Sequence, residues 1–419
     1  MARVPGVLPA SSAPRTAPAV PEVTAVPDVV QVVWDPVFNR YDFGRWHPMA
    51  PVRLDLTARL CESLGLFSAP GLRVVSAQPA GEDLLRTVHE PEYVAAVQAA
   101  SADPGSAQEV FGLGTEDDPA FPGMHEAAAR IVGGSVELGR ALLAGRAQHG
   151  VNFCGGMHHA KPGCASGFCV YNDAAASIRA MLDEGAERVV YVDLDCHHGD
   201  GTEAVFWDEP RVLTISVHES GTTLFPGTGF ADELGGPGAL GGAVNLALPA
   251  GTRDAGWLRA VHSVVPQLVA SFAPDVLVTQ HGCDTHALDP LGHLVVSLDA
   301  QRAAAAAMHA LAHSAAGGRW LALGGGGYEV VDVVPRTWAH LVAEAAHRPL
   351  DPATPLPGSW RSHVEETIGR EAPRTMTDGE SGAFQAWSSG YDPADPVDRA
   401  ILATRRAAFP LHGLDPEFD

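Results

Sequence analysis

Lysine is almost missing from this chain. Lys161 is the only one, and acidic residues outnumber basic ones 50 to 27, for a formal net charge of −23. So acidic a chain argues against a nucleic-acid binder, which needs a basic face to meet phosphates. It either favours cationic partners such as lysine-rich peptides, through long-range attraction, or serves solubility alone. No run of about 18 apolar residues occurs, so no membrane-spanning segment is expected. The N-terminus is broken by Pro5, Pro9, Pro14, Pro18, Pro21 and Pro27 and offers no apolar signal-peptide core. A cytoplasmic enzyme is the simplest expectation. The six cysteines (Cys61, Cys154, Cys164, Cys169, Cys196, Cys283) contain no C-x-x-C pair and no dense pattern, which argues against a disulfide scaffold or a thiolate-rich structural zinc site. They read as reduced, mostly buried thiols. Cys154, Cys196 and Cys283 lie beside polar motifs, where oxidation sensitivity is expected.

What is present points to one large α/β domain. At 419 residues and 46% hydrophobic content, the chain can bury a sizeable core. Residues 1–28 are Pro/Ala-rich without periodicity and are expected to form a disordered extension. Val29–Trp34 reads as a first strand, Val52–Leu64 as an amphipathic helix, and Met124–Ala144 as an alanine-rich helix. Another helix is expected after Pro91. A pattern then repeats: short apolar run, glycine-containing polar loop, helix. The runs are Gly150–Cys154, Arg188–Val192, Val212–Val217, Asp275–Gln280 and Arg319–Leu323. Helices are expected near Asp173–Glu184, Asp254–Phe272 and Ala300–Ala315. Strands alternating with helices predict a mainly parallel sheet covered on both faces, a single three-layer αβα domain over residues 29–349. Residues 350–419 are Pro-rich and read as an irregular tail packed on it.

Ligands of such sheets sit outside the carboxyl ends of the strands, and every unusual polar cluster here falls at such an end. The apolar run Val189–Val192 stops at Asp193-Leu194-Asp195-Cys196-His197-His198-Gly199-Asp200. Burying these groups is costly unless they bind a metal or pair with one another. Asp195 and His197 with Asp284 make a set of two carboxylates and one imidazole, which leaves an open position for water and substrate as catalytic zinc sites do. Iron(II) also suits carboxylate ligands. His158 and His159 are adjacent, so both reach a site only from a loop. Asp193 and Asp200 can each hold one ring nitrogen. One imidazole would take a proton from an attacking water, and a second donor would protonate a leaving amine. Tyr328 follows four glycines and can present a phenol to a developing oxyanion. Phe168 and Phe225, each beside glycine or proline, can wall an alkyl chain. No Gly-Lys-Ser/Thr follows the four glycines, and Gly163–Gly167 has the wrong spacing for a nucleophile elbow.

Five motifs resemble, in order, the zinc-dependent histone deacetylases. They are Gly155-Gly156-Met157-His158-His159-Ala160, Ser166-Gly167-Phe168-Cys169, Asp193–Gly201, Phe225-Pro226-Gly227-Thr228-Gly229 and Gly324-Gly325-Gly326-Gly327-Tyr328. Val33–Pro36, Tyr41–Phe43, Phe111–Glu116 and His218–Gly221 look most like the bacterial acetoin-utilisation deacetylases. The resemblance implies the arginase/deacetylase fold and hydrolysis of acetyl-lysine. Zinc would lie on Asp195, His197 and Asp284. His158 and His159 would be the acid/base pair, backed by Asp193 and Asp200. Tyr328 would polarise the acetyl carbonyl. Gly167, Phe168 and Phe225 would line the lysine tunnel, and Asp117 or Glu116 would gate its rim. A structural potassium would sit on the carbonyls of Asp193, Asp195 and His197, with Ser216 and Val217. Arg53 would lie on an inner channel for released acetate. Met157 replaces a common tryptophan before the histidines.

An arginase-like dinuclear site would need a second Asp-x-Asp pair, but position 282 is Gly. A catalytically silent relative would be expected to have lost a ligand or the tyrosine, and all are present. The closest competitor is a deacetylase of small acetylated amines such as acetylpolyamines. Such relatives are expected to carry an acidic gatekeeper where this chain has Leu291. Acetyl-lysine proteins or peptides are therefore the expected substrates, with neither nucleic acid nor membrane as a partner.

Overall fold

The computed structural model describes residues 29–419; the extension expected over 1–28 lies outside them. The strands are β1 (Val30–Val33), β2 (Leu72–Val75), β3 (His149–Asn152), β4 (Val189–Asp193), β5 (Val212–Glu219), β6 (Ala243–Leu248), β7 (Val276–Gln280) and β8 (Trp320–Leu323). They form one eight-stranded sheet in the order β2-β1-β3-β8-β7-β4-β5-β6. Every neighbouring pair is parallel. Strands β3, β4, β7 and β8 are buried along their whole length. Continuous apolar runs, not alternating ones, are what a strand covered on both faces requires. The five runs recognised in the sequence are β3, β8, β7, β4 and β5, which are consecutive neighbours in the sheet. Their carboxyl ends therefore open side by side.

The helices are α1 (Val52–Ser63), α2 (Glu82–Leu85), α3 (Pro91–Ala102), α4 (Met124–Leu143), α5 (Asp173–Asp183), α6 (Asp200–Phe206), α7 (Asp254–Phe272), α8 (Leu298–Ala315), α9 (Val334–Ala345), α10 (Gly358–Ile368) and α11 (Pro396–Ala408). Three of their starts are set by side-chain caps: Asn172 accepts from the Ala175 amide, Ser297 from that of Ala300 and Asp395 from that of Val397. Helix α9, all of whose residues are buried, was not read from the sequence.

The segment from 350 onward differs from the irregular tail expected, because it carries α10 and α11. Val397, Ile401, Leu402 and Ala408 face the core from α11. The Thr404 hydroxyl donates to the Asn245 carbonyl of edge strand β6 at 2.7 Å. Covering an edge in this way removes a template for intermolecular pairing. Arg259 of α7 fixes the segment with a bidentate pair to Asp398 at 2.6 and 2.9 Å. It also donates to the carbonyls of Gln385, Ala386 and Gly390. Edge strands β2 and β6 were also not read from the sequence.

Candidate active site

The loop after β3 brings His158 and His159 to the sheet's carboxyl edge. Asp173, at the start of α5, accepts from the amides of Gly156 and Met157 at 2.9 and 2.8 Å. The Asn172 amide group donates to the carbonyls of His158 and Ala160. The backbone beneath both histidines is thus fixed by α5. His158 Nδ1 lies 2.8 Å from Asp193 Oδ2, and His159 Nδ1 lies 2.7 Å from Asp200 Oδ1. Asp193 also accepts from the Tyr191 hydroxyl at 2.7 Å, and Asp200 pairs with Lys161, the chain's only lysine, at 2.9 Å. Burial works against a charged ring at both histidines. At His158 the carboxylates of Asp193 and Asp195 outweigh it and push the ring up to about 9. At His159 burial, reinforced by the charge on His158, holds the ring down at about 4.

Asp195, His197 and Asp284 converge beside them, buried, with ligand atoms within 4.8 Å of one another. His197 Nδ1 faces Asp195 Oδ1 at 3.1 Å and Asp284 Oδ2 at 3.0 Å. The other oxygens are held by the protein. Asp195 Oδ2 accepts from Gln280 Nε2 and the Gly326 amide at 2.7 and 2.9 Å, and Asp284 Oδ1 accepts from the Cys196 amide at 2.8 Å. Burial and the neighbouring charge of Asp195 raise Asp284 above the usual carboxylate range, as expected of two carboxylates sharing one buried space. A β-carbon on Gly326 would lie 2.1 Å from Asp284 Oδ2, so only glycine lets this backbone approach.

A pocket of about 210 Å³ leads to this cluster. His159, His197 and Tyr328 line its inner part; Phe168, Phe225 and Gly167 line its walls; Leu291 and Asp117 also border it. The Phe168 ring meets Tyr328 edge-on at 5.7 Å, and Phe225 meets His159 edge-on at 5.0 Å. Gly167 has φ +52°, and a β-carbon there would come 2.4 Å from His159 Cδ2. Burial, with the charges of Asp284 and Asp195 next, raises the Tyr328 phenol well above its ordinary value. The Tyr328 amide donates to Asp289 Oδ2 at 2.8 Å. His47 holds the carbonyl of Asp117 at 3.0 Å and packs against Phe168.

Arg53, Ser216 and Val217 are among the predicted residues that lie outside the pocket lining. Arg53 is buried beneath the tyrosine loop, donating to the carbonyls of Gly325 and Gly327 at 2.8 and 3.2 Å, with its guanidinium over Trp338. Ser216 pairs in register with Asp193, and Val217 follows it. His198, left without a ligand role by the sequence, ties the loop after Phe225 to α6 through Thr228 and Glu203. Sequence reasoning missed Tyr191, Gln280, Asp173, Asn172 and His47 as supports. Tyr191 and Gln280 stood in the recognised runs, and only their polar ends could have flagged them. The expectation of oxidation-sensitive cysteines is overturned. Cys154, Cys196 and Cys283 are buried, and burial pushes each thiol well above its usual range, away from the reactive thiolate.

Residues 47–345 match the histone deacetylase domain family. The chain is 40% identical to acetoin utilization protein AcuC of Bacillus subtilis (strain 168) over 90% of its own length and 94% of that protein's. It is 37% identical to the AcuC of Staphylococcus xylosus over 77% of this chain and 83% of that one. Its fold is similar to the crystal structure of the HDA15 HD domain, with a TM-score of 0.70 and 26% identity over 91% of this chain and 96% of the other. The chain therefore belongs to the histone deacetylase family, as a deacetylase akin to the bacterial acetoin utilization proteins.

Proposed function

We propose that the protein hydrolyses the acetyl amide of N-ε-acetyl-lysine in proteins or peptides, in the cytoplasm, with zinc as its resident ion and iron(II) as the other ion its donors suit. The single observation carrying this reading is a narrow aromatic-walled pocket that ends on Asp195, His197 and Asp284 with two carboxylate-backed imidazoles and a phenol beside them. The donor set fits a divalent cation. Two buried carboxylates face one imidazole nitrogen, and their outer oxygens are already engaged by Gln280, Gly326 and Cys196. Bound there, the ion would supply Lewis acidity toward the acetyl carbonyl and an acidified water.

The remaining chemistry belongs to side chains. His158 and His159 each have Nδ1 fixed by a carboxylate, which leaves Nε2 for proton transfer. His158 Nε2 lies 3.8 Å from Asp195 Oδ1, on the side of the metal set. The pair takes the proton of the attacking water and returns one to the leaving lysine amine. Tyr328, kept as a phenol, donates to the carbonyl oxygen as charge develops on it. Phe168 and Phe225 flank the lysine methylenes, with Gly167 leaving room between them. Asp117 accepts from substrate backbone amides at the rim. Arg53, anchored under the tyrosine loop, attracts the acetate product.

A potassium ion fits carbonyl oxygens of Asp193, Asp195 and His197 with Ser216 and Val217. His218 Nε2 donates to the Gly229 carbonyl at 2.9 Å, so its Nδ1 receives the Ser216 proton at 2.8 Å. The Ser216 hydroxyl oxygen also accepts from the Gly199 amide at 3.5 Å, which leaves one lone pair for a cation. Leu291 on the pocket border offers a second ammonium group nothing, which favours acetyl-lysine over acetylpolyamines. Turnover by the purified protein of acetyl-lysine peptides and acetylpolyamines, measured side by side, tests the choice. Efficient polyamine turnover with inert peptides would replace it by the small-amine reading.

A further inference from the structure

A second cluster of ligand-type side chains lies at the other end of the sheet. His149, His309, His313 and His347 bring one nitrogen each to within 4.8 Å of one another. His149 is the first residue of β3, whose opposite end leads to His158 and His159. His309 and His313 are one turn apart on α8, and so share a face. His347 follows α9 in the left-handed conformation, φ 55°. All six pairs of rings have centroids 4.6–5.3 Å apart.

The proton positions favour a ligand role. His149 Nδ1 donates to the Ala345 carbonyl at 2.7 Å, so its lone pair is on Nε2. That Nε2 is buried without a hydrogen-bond partner among the described residues. A buried acceptor left unmatched costs about 1–3 kcal/mol. A ring whose Nδ1–H is anchored on a carbonyl while Nε2 stays bare is oriented as metal-bound histidines are. The Nε2 atoms of His309 and His313 are 3.2 Å apart. Neighbouring donors of a tetrahedral site with bonds of 2.0–2.1 Å are about 3.4 Å apart. Burial first, and then the three neighbouring rings, hold His149 down to about 3. The nearest carboxylate to this group among the ion pairs is Glu344, 3.9 Å from His309 Nδ1.

We propose that these four histidines form a second metal site, for a late first-row divalent ion of the zinc, nickel or copper class, separate from the catalytic centre. Neutral imidazoles suit these ions, whereas magnesium and calcium require oxygen ligands. Four protein ligands fill a tetrahedral shell, so the site is a structural clasp and not a second catalytic centre. It joins the amino end of β3 to the last turns of α8 and to His347, two residues beyond α9.

The full chain, stripped with a chelator, reloaded with Zn2+ and freed of excess ion, is compared with the H309Q/H313Q variant by elemental analysis. The expected result is one equivalent fewer in the variant, with deacetylase turnover unchanged. Equal metal content in the two proteins overturns the proposal. Because the readout is a difference, it stands whatever the catalytic centre binds. Should the double variant misfold, as circular dichroism would reveal, His347→Gln alone replaces a single exposed ring. Competition against a chromophoric chelator then reads the weak or strong second site. A tenfold or greater loss of Zn2+ affinity at one site supports the clasp, and unchanged affinity at every site refutes it.

Discussion

Tyr328 sits where burial and two carboxylates keep its phenol protonated, so its proposed role as donor predicts a rate effect without a binding effect. Tyr328→Phe should lower kcat by roughly 10²–10³, the usual cost of one oxyanion donor, while metal content stays at the wild-type level. His159→Ala should likewise lower turnover by ~10²–10⁴ as a proton carrier is lost. Wild-type rates in either variant, measured on an acetyl-lysine peptide, would remove that residue from the mechanism. Leu291→Glu places a carboxylate on the pocket border. It should raise the ratio of acetylpolyamine to acetyl-lysine turnover, read as kcat/KM for the two substrates; an unmoved ratio would mean that Leu291 does not set specificity. These residues were legible because each stands in a run of residue types that only a site would bring together. Their supports were not. Asp173 holds the histidine loop through backbone amides, and a carboxylate at a helix start looks the same in sequence whether or not a loop folds onto it.

At the scale of elements, the apolar runs β3, β4, β5, β7 and β8 were legible because strands covered on both faces must be continuously apolar. Helices α4, α5, α7 and α8 were legible within a few residues at each end. The edges were not. Strand β2 is four residues long with a mostly exposed pattern, and α11 lies in a stretch whose prolines and acids read as irregular. Its helix is held by Arg259 reaching across from α7. Removing that guanidinium leaves Asp398 buried without its partner, so Arg259→Ala should destabilise the protein by about 3–5 kcal/mol in denaturant unfolding. A loss under about 1 kcal/mol, the value of an exposed pair, would show that the C-terminal segment is not clasped there.

For the whole molecule, two buried histidines away from the site couple stability to pH. Burial holds His89 and His340 each down at about 4, against 6.5 for a free ring. Between these values the unfolded chain binds protons that the folded chain refuses. The stability these two rings contribute is therefore full above pH 6.5 and is lost on acidification toward pH 4, by up to about 1.4 kcal/mol per pH unit for each ring. Urea midpoints at pH 7 and pH 5 check this; an equal or higher midpoint at pH 5 would contradict it. The sequence by itself determined the alternation of strands and helices, the polar clusters at strand ends and the identity of the residues that converge, because burial on both faces and costly charges each leave a local signature. Only the tertiary structure decided that β8 inserts between β3 and β7, which sets Gly326 against Asp195 and Asp284. The same is true of His149, His309, His313 and His347, which are scattered over nearly two hundred positions and are brought together where β3, α8 and α9 meet at the far rim. Strand order and end-to-end packing depend on which surfaces fit one another, and no single segment carries that information.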